Sequence, residues 1–136
     1  MNVKTPPRSP TPQLKIMPTD MEEVKSARDF VGDALIGLGV DAETAFTAKV
    51  IVSELVTNAI KHTESASILV RTYIAQDGLA VVEVDDESDA RPQIRPITLD
   101  ALTGRGLAII AENAACWGWV LREGSGKTVW AGLKSG

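Results

Sequence analysis

The chain has 136 residues, with 14 Lys plus Arg against 18 Asp plus Glu and a formal net charge of -4. At roughly 100–200 residues per domain this is one domain. A 44% hydrophobic and 24% charged composition excludes a wholly disordered chain, a coiled coil and a collagen-like fibre. No run approaches ~20 consecutive apolar residues, so no membrane span is expected. The N-terminus has no apolar h-region of a secretory signal. One cysteine, Cys116, has no partner for an internal disulfide, which fits a reducing cytoplasm. Together with one histidine, His62, it leaves too few ligands for a dedicated zinc site. The mild acidity argues against a nucleic-acid-binding surface.

Residues 1–13 read as a disordered tail, because Pro6, Pro7, Pro10 and Pro12 crowd a polar stretch with little apolar area to bury. The folded domain is expected over 14–136. A short strand at Leu14–Met17 is closed by Pro18. A first helix is expected from Asp20 to Leu38, since Val24, Ala27, Val31, Ala34, Leu35 and Leu38 recur at helical spacing. Thr19 with Glu22, or Asp20 with Glu23, has the spacing of a capping box, and Gly39 is a natural stop. Asp41 is the N-cap candidate for a second helix reaching His62. Its buried side should hold Ala45, Ala48, Val52, Leu55, Val56 and Ala59.

Two strands, 67–75 and 79–85, follow around the turn Gln76-Asp77-Gly78. Residues 86–103 show neither helical nor strand period, and a loop of that length in a small domain is usually functional or mobile. Thr103 caps a third helix carrying Leu107, Ile110, Ala111 and Ala114 on one face. Strands 116–122 and 127–133 close the chain. Hairpins mixed with helices predict an α+β fold, one sheet with helices on one face.

Two phosphate motifs fail. Gly126-Lys127-Thr128 looks like the end of a Walker A loop, but Leu121 stands where its first glycine belongs, and a strand follows instead of a helix. It reads as a hairpin turn with a lysine after it. Gly104-Arg105-Gly106 begins a dinucleotide fingerprint, but Ile109 replaces the third glycine and no strand leads into it. A glycine pair with an arginine at a helix N-terminus still suits an anion, and a plain helix cap is the alternative.

On the second helix, Asn58, Lys61 and Thr47 lie within about 40° of Glu54 at roughly 100° per residue. Val50 and Ile51 flank this narrow stripe. One reading is a solvated face. The other is a half-buried site, where Asn58 offers a neutral oxygen to Mg²⁺ and Glu54 a base one turn away. On the following strand Val82, Val84 and Asp86 share a face, and Glu83 is expected to point to solvent. Asp86 is then either an inward carboxylate seeking a donor, such as an adenine amine, or a turn-forming residue. Trp117 and Trp119 share a strand face, with Trp130 on the neighbouring strand. They form either core packing or an aromatic partner face, such as that of a homodimer.

Four segments together resemble the histidine-kinase-like ATPases, the GHKL or Bergerat-fold superfamily. Ile51-Val52-Ser53-Glu54-Leu55-Val56-Thr57-Asn58-Ala59-Ile60-Lys61-His62-Thr63 resembles the N-box. Val82-Glu83-Val84-Asp85-Asp86 is similar to the first glycine-box strand, Thr103-Gly104-Arg105-Gly106-Leu107 to the second glycine box, and Gly126-Lys127-Thr128-Val129-Trp130 to the last strand. Small size without a sensor or dimerisation domain resembles the anti-sigma-factor serine/threonine kinase branch. The resemblance covers about residues 20–134. It implies a two-layer sandwich, one mixed but mostly antiparallel sheet with about three helices on one face.

The resemblance also implies ATP and Mg²⁺ as ligands. Glu54 would be the general base, and Asn58 would hold Mg²⁺. Lys61 would assist at the phosphates, and Gly104, Arg105, Gly106 and Leu107 would cradle them. Asp86 would accept the adenine amine, with Thr128 beside it. A sigma factor and an anti-sigma-factor antagonist are the implied partners. One departure stands out: the superfamily's Asp-x-Gly-x-Gly is here Asp86-Glu87-Ser88-Asp89-Ala90, without either glycine. It keeps open a non-catalytic nucleotide-binding module that sequesters a transcription regulator, and a plain ATPase.

Overall fold

The computed structural model describes residues 11–63, 66–87, 112–122 and 126–135. Strand β1 (Gln13–Pro18) comes first, so the strand expected at Leu14–Met17 is present and one residue longer at each end. Residues 1–10 of the expected tail lie outside the described residues. The first helix divides in two. Asp20 accepts from the Glu22 backbone N–H at 3.0 Å and opens a 3-10 turn, Met21–Glu23, before α1 (Val24–Gly37) begins. The cap is therefore a two-residue Asp turn in place of the expected box. Gly39 ends the helix with φ +90°, where a side chain would be strained.

Helix α2 (Ala42–His62) begins as the sequence predicts, with the Asp41 carboxylate accepting from the Thr44 N–H at 3.1 Å. All six residues expected on its inner side are buried, and Ile51 joins them. Ile51 is thus core, not merely a flank of the polar stripe. No described helix is long and apolar enough to cross a membrane.

Strands β2 (Ser67–Ile74), β3 (Ala80–Asp86), β4 (Cys116–Leu121) and β5 (Lys127–Leu133) complete one sheet, in the order β1-β2-β3-β5-β4. Every pairing among the described residues is antiparallel, which corrects the expectation of a mixed sheet. The cause is topological. β3 and β4 run the same way, and the chain between them is long enough for a crossover. The β4–β5 hairpin then turns back and inserts β5 between them, so no parallel pair forms.

Both long helices pack on one face of the sheet, α1 towards β2 and α2 towards β3 and β5. Val31, Leu35, Val52, Val56, Val70, Val82, Val84 and Ala131 fill the layer between. Trp117 and Trp119 pack half-buried against this core. Trp130 stands on the opposite face, 1% exposed, with Tyr73, Val81 and Cys116. The three tryptophans therefore make no common aromatic face. The third helix, expected from Thr103, falls mostly outside the described residues; two α-helices and the helical residues Glu112 and Asn113 lie within them.

Candidate functional site

β3 is buried on both faces, and that decides where its acidic residues go. Val82, Val84 and Asp86 face the helices; Val81, Glu83 and Asp85 face away. Glu83 was expected in solvent, yet it is 0% exposed. Across the strand pair its register partner is Arg71, whose Nη1 donates to Glu83 Oε1 at 2.9 Å and to Asp85 Oδ1 at 3.0 Å. Arg71 Nη2 also pairs with Asp85 Oδ2, and the Tyr73 hydroxyl donates to Glu83 Oε2. Buried carboxylates need such partners, because a lone charge out of water is very costly.

Thr128 belongs to this network. Its hydroxyl donates to Asp85 Oδ1 at 2.6 Å, on the face turned from the helices. The pairing Asp85↔Thr128 is direct, whereas Asp86 is opposite Lys127. The structure therefore does not bring Thr128 beside Asp86. Lys127 stands there, with Nζ 3.2 Å from Asp86 Oδ1 and 3.1 Å from Oδ2. Asp86 is 2% exposed and Lys127 5%. Asp86 is the last residue of β3 and not a turn residue.

Lys127 reads in the sequence as a hairpin lysine, yet it is buried against Asp86. The signal was available: Lys127 keeps strand parity with Val129, Ala131 and Leu133, all on the helix-side face. Gly126 fixes the approach of this strand. Its φ is +85°, and a Cβ there would overlap the carbonyl oxygen of Asp86.

The polar stripe of α2 runs along the helix from Thr47, and its last members, Asn58 and Lys61, lie toward the same end of the molecule. α2 ends at His62, a short link leads into β2, and the first residues of β2 pair with the last of β3, Leu69 with Asp85. Asn58, one turn before the end of α2, and Asp86 thus share one end of the helix–sheet interface, and α2 packs on β3 and β5. Glu54 and Asn58 are half-buried, and Lys61 is exposed at the rim. Thr47 donates to the Glu43 carbonyl at 3.2 Å and so turns to its own helix. Gly104, Arg105, Gly106 and Leu107 lie outside the described residues.

A half-buried carboxylate and carboxamide one turn apart can move a proton and ligate a hard cation. A buried carboxylate at the sheet end can accept from an amine. A family model of the histidine kinase-like ATPase domain matches residues 17–131. No curated protein matches the chain. Among solved structures, the chain is similar to that of the RsbU and RsbW domains of Rv1364c from Mycobacterium tuberculosis. The TM-score is 0.69 and the identity 20%, over 94% of this chain and 34% of that one. The chain thus spans about a third of that neighbour's length, and the likeness establishes the fold. With the family match extending over most of the sequence, the chain belongs to the histidine kinase-like ATPase domain family.

Proposed function

We propose that this domain binds Mg·ATP and is an anti-sigma-factor-type serine/threonine kinase, which holds a sigma factor and phosphorylates an anti-sigma-factor antagonist. The observation that carries the reading is the half-buried Glu54–Asn58 pair of α2, together with the buried Asp86 of β3, a strand on which α2 packs. The four ordered motifs and the fold likeness to a chain with an RsbW domain support it.

The residues fit the ligand. Asp86, a buried acceptor on the helix-side face, suits the exocyclic amine of adenine. The Asn58 amide oxygen suits Mg²⁺, a hard cation that prefers oxygen. When bound, Mg·ATP supplies the transferable phosphoryl group and the cation that offsets its charge. Glu54 takes the proton of the acceptor serine or threonine hydroxyl as that oxygen becomes nucleophilic. Lys61, at the exposed rim, lends positive charge on the phosphate side. Gly104, Arg105, Gly106 and Leu107 are proposed as the phosphate cradle from their motif alone.

The test is transfer of label from γ-labelled ATP to a candidate antagonist protein. The wild type should label a serine or threonine of the antagonist, and Glu54→Ala should bind ATP without labelling it. A second reading, a non-catalytic module that sequesters a regulator, draws on Ser88 and Ala90 where the superfamily has glycines. A stable complex with unlabelled antagonist would favour it. Phosphate release without any acceptor would indicate a plain ATPase.

A further inference from the structure

We infer that Lys127 is the second base-reading residue of the site, donating a hydrogen bond to a ring nitrogen of adenine beside the amine that Asp86 accepts. This rests on the proposal that the domain binds ATP. The helix-side row of β3 and β5 is otherwise apolar, built of Ala80, Val82, Val84, Val129, Ala131 and Leu133. Its last cross-strand position alone holds an ion pair, Asp86 with Lys127. A buried ion pair is a poor way to stabilise a fold, because desolvation offsets most of the attraction and apolar residues serve as well or better. The remaining positions in the row are filled in that apolar way. Charge placed at the paired ends of β3 and β5, the strands on which α2 packs, therefore points to recognition.

The chemistry of the pair is specific. An ammonium has three N–H donors and no acceptor, and the two contacts to Asp86 leave a donor over. A carboxylate has about four acceptor sites, so it accepts from Lys127 and from a ligand amine together. The pair presents an acceptor next to a donor. The Watson–Crick edge of adenine presents the complement, the N6 amine next to the N1 acceptor. Thr128, one residue on, cannot supply this donor, because its hydroxyl is committed to Asp85 on the other face.

The experiment is calorimetric titration of the full chain, with Mg²⁺, by ATP, 1-deaza-ATP and 7-deaza-ATP, repeated on Lys127→Met. A charge-assisted hydrogen bond predicts that the wild type binds 1-deaza-ATP about tenfold or more weakly than ATP. 7-deaza-ATP should bind like ATP. Lys127→Met, of similar length, should bind ATP and 1-deaza-ATP equally. Equal wild-type affinity for ATP and 1-deaza-ATP would overturn the role of Lys127 while leaving ATP binding intact. Tighter ATP binding by Lys127→Met would also overturn it, by making the lysine a competitor for Asp86. No wild-type binding of any of the three would overturn the ATP reading and this inference with it. The wild-type arm needs no variant, so misfolding of Lys127→Met cannot decide the outcome.

Discussion

Asp85 and Asp86 are neighbours in β3 and serve opposite faces of the sheet. Asp85 is held by Arg71 and by the Thr128 hydroxyl at 2.6 Å on the face away from the helices. Asp86 meets Lys127 on the helix-side face. Strand alternation alone separates them, and it divides structural duty from the proposed ligand duty.

The two substitutions should therefore differ in kind. Asp85→Asn leaves Arg71 and Glu83 with an unbalanced buried network, and removing one partner of such a pair costs about 3 kcal/mol or more. Urea unfolding should show a lower midpoint, with ATP affinity retained under native conditions. Asp86→Asn should abolish ATP binding in calorimetry, since an amide presents a donor or a weaker acceptor to the adenine amine.

Glu54 is assigned the proton and not the nucleotide. Glu54→Gln should leave ATP affinity within a few-fold and lower phosphoryl transfer by about 10²–10⁴-fold, the usual worth of a positioned base. Single-turnover labelling of an antagonist separates the two quantities. Unchanged transfer would remove Glu54 from its role.

Gly126 links the β4–β5 turn to the site. Its φ of +85° and its contact with the Asp86 carbonyl leave no room for a methyl group. Gly126→Ala should lose about 1–3 kcal/mol of stability. It should also weaken ATP binding, because Asp86 and Lys127 both move when that turn shifts. Gly37→Ala, where an added Cβ meets nothing, is the matched control.

Burial pushes the Cys116 thiol up from its ordinary value, with the Asp77 charge adding to it. At pH 8 the native thiol should react with iodoacetamide more slowly than the urea-unfolded chain, whose thiolate fraction is larger. The linkage has a definite sign. The folded state keeps the proton over a range where the unfolded chain has lost it. This contribution to stability is present below the unfolded thiol's value and falls as the pH rises through the folded one. Cys116→Ala should remove that part of the alkaline loss.

Local signals carried much of the fold. Asp41 and the apolar spacing from Ala45 to Ala59 give α2 its start and its inner face, and Gly78 gives the β2–β3 turn φ +89°. Pairwise facts were harder to read. Glu83 looked exposed because alternation says which face a residue takes, not whether that face is covered. Arg71, twelve residues earlier, decides it. The position of β5 between β3 and β4 is likewise a property of the whole sheet.

Part of the proposed site was legible in the sequence. Glu54, Asn58 and Asp86 follow from helical stripe and strand parity, and the structure brings Asn58 and Asp86 to one end. Lys127, not Thr128, stands opposite Asp86. A one-residue step in a strand moves a side chain to the other face, and a glycine at the strand's start hides the parity that Val129, Ala131 and Leu133 set.

The most direct test of the central claim is calorimetric titration of ATP with Mg²⁺ into the wild type and Asn58→Ala. Saturable wild-type binding is the expected result, with a loss of affinity in Asn58→Ala that is seen with Mg²⁺ present and much reduced when EDTA removes it. Absence of wild-type binding up to millimolar ATP, or equal Mg²⁺ dependence in both proteins, would contradict it.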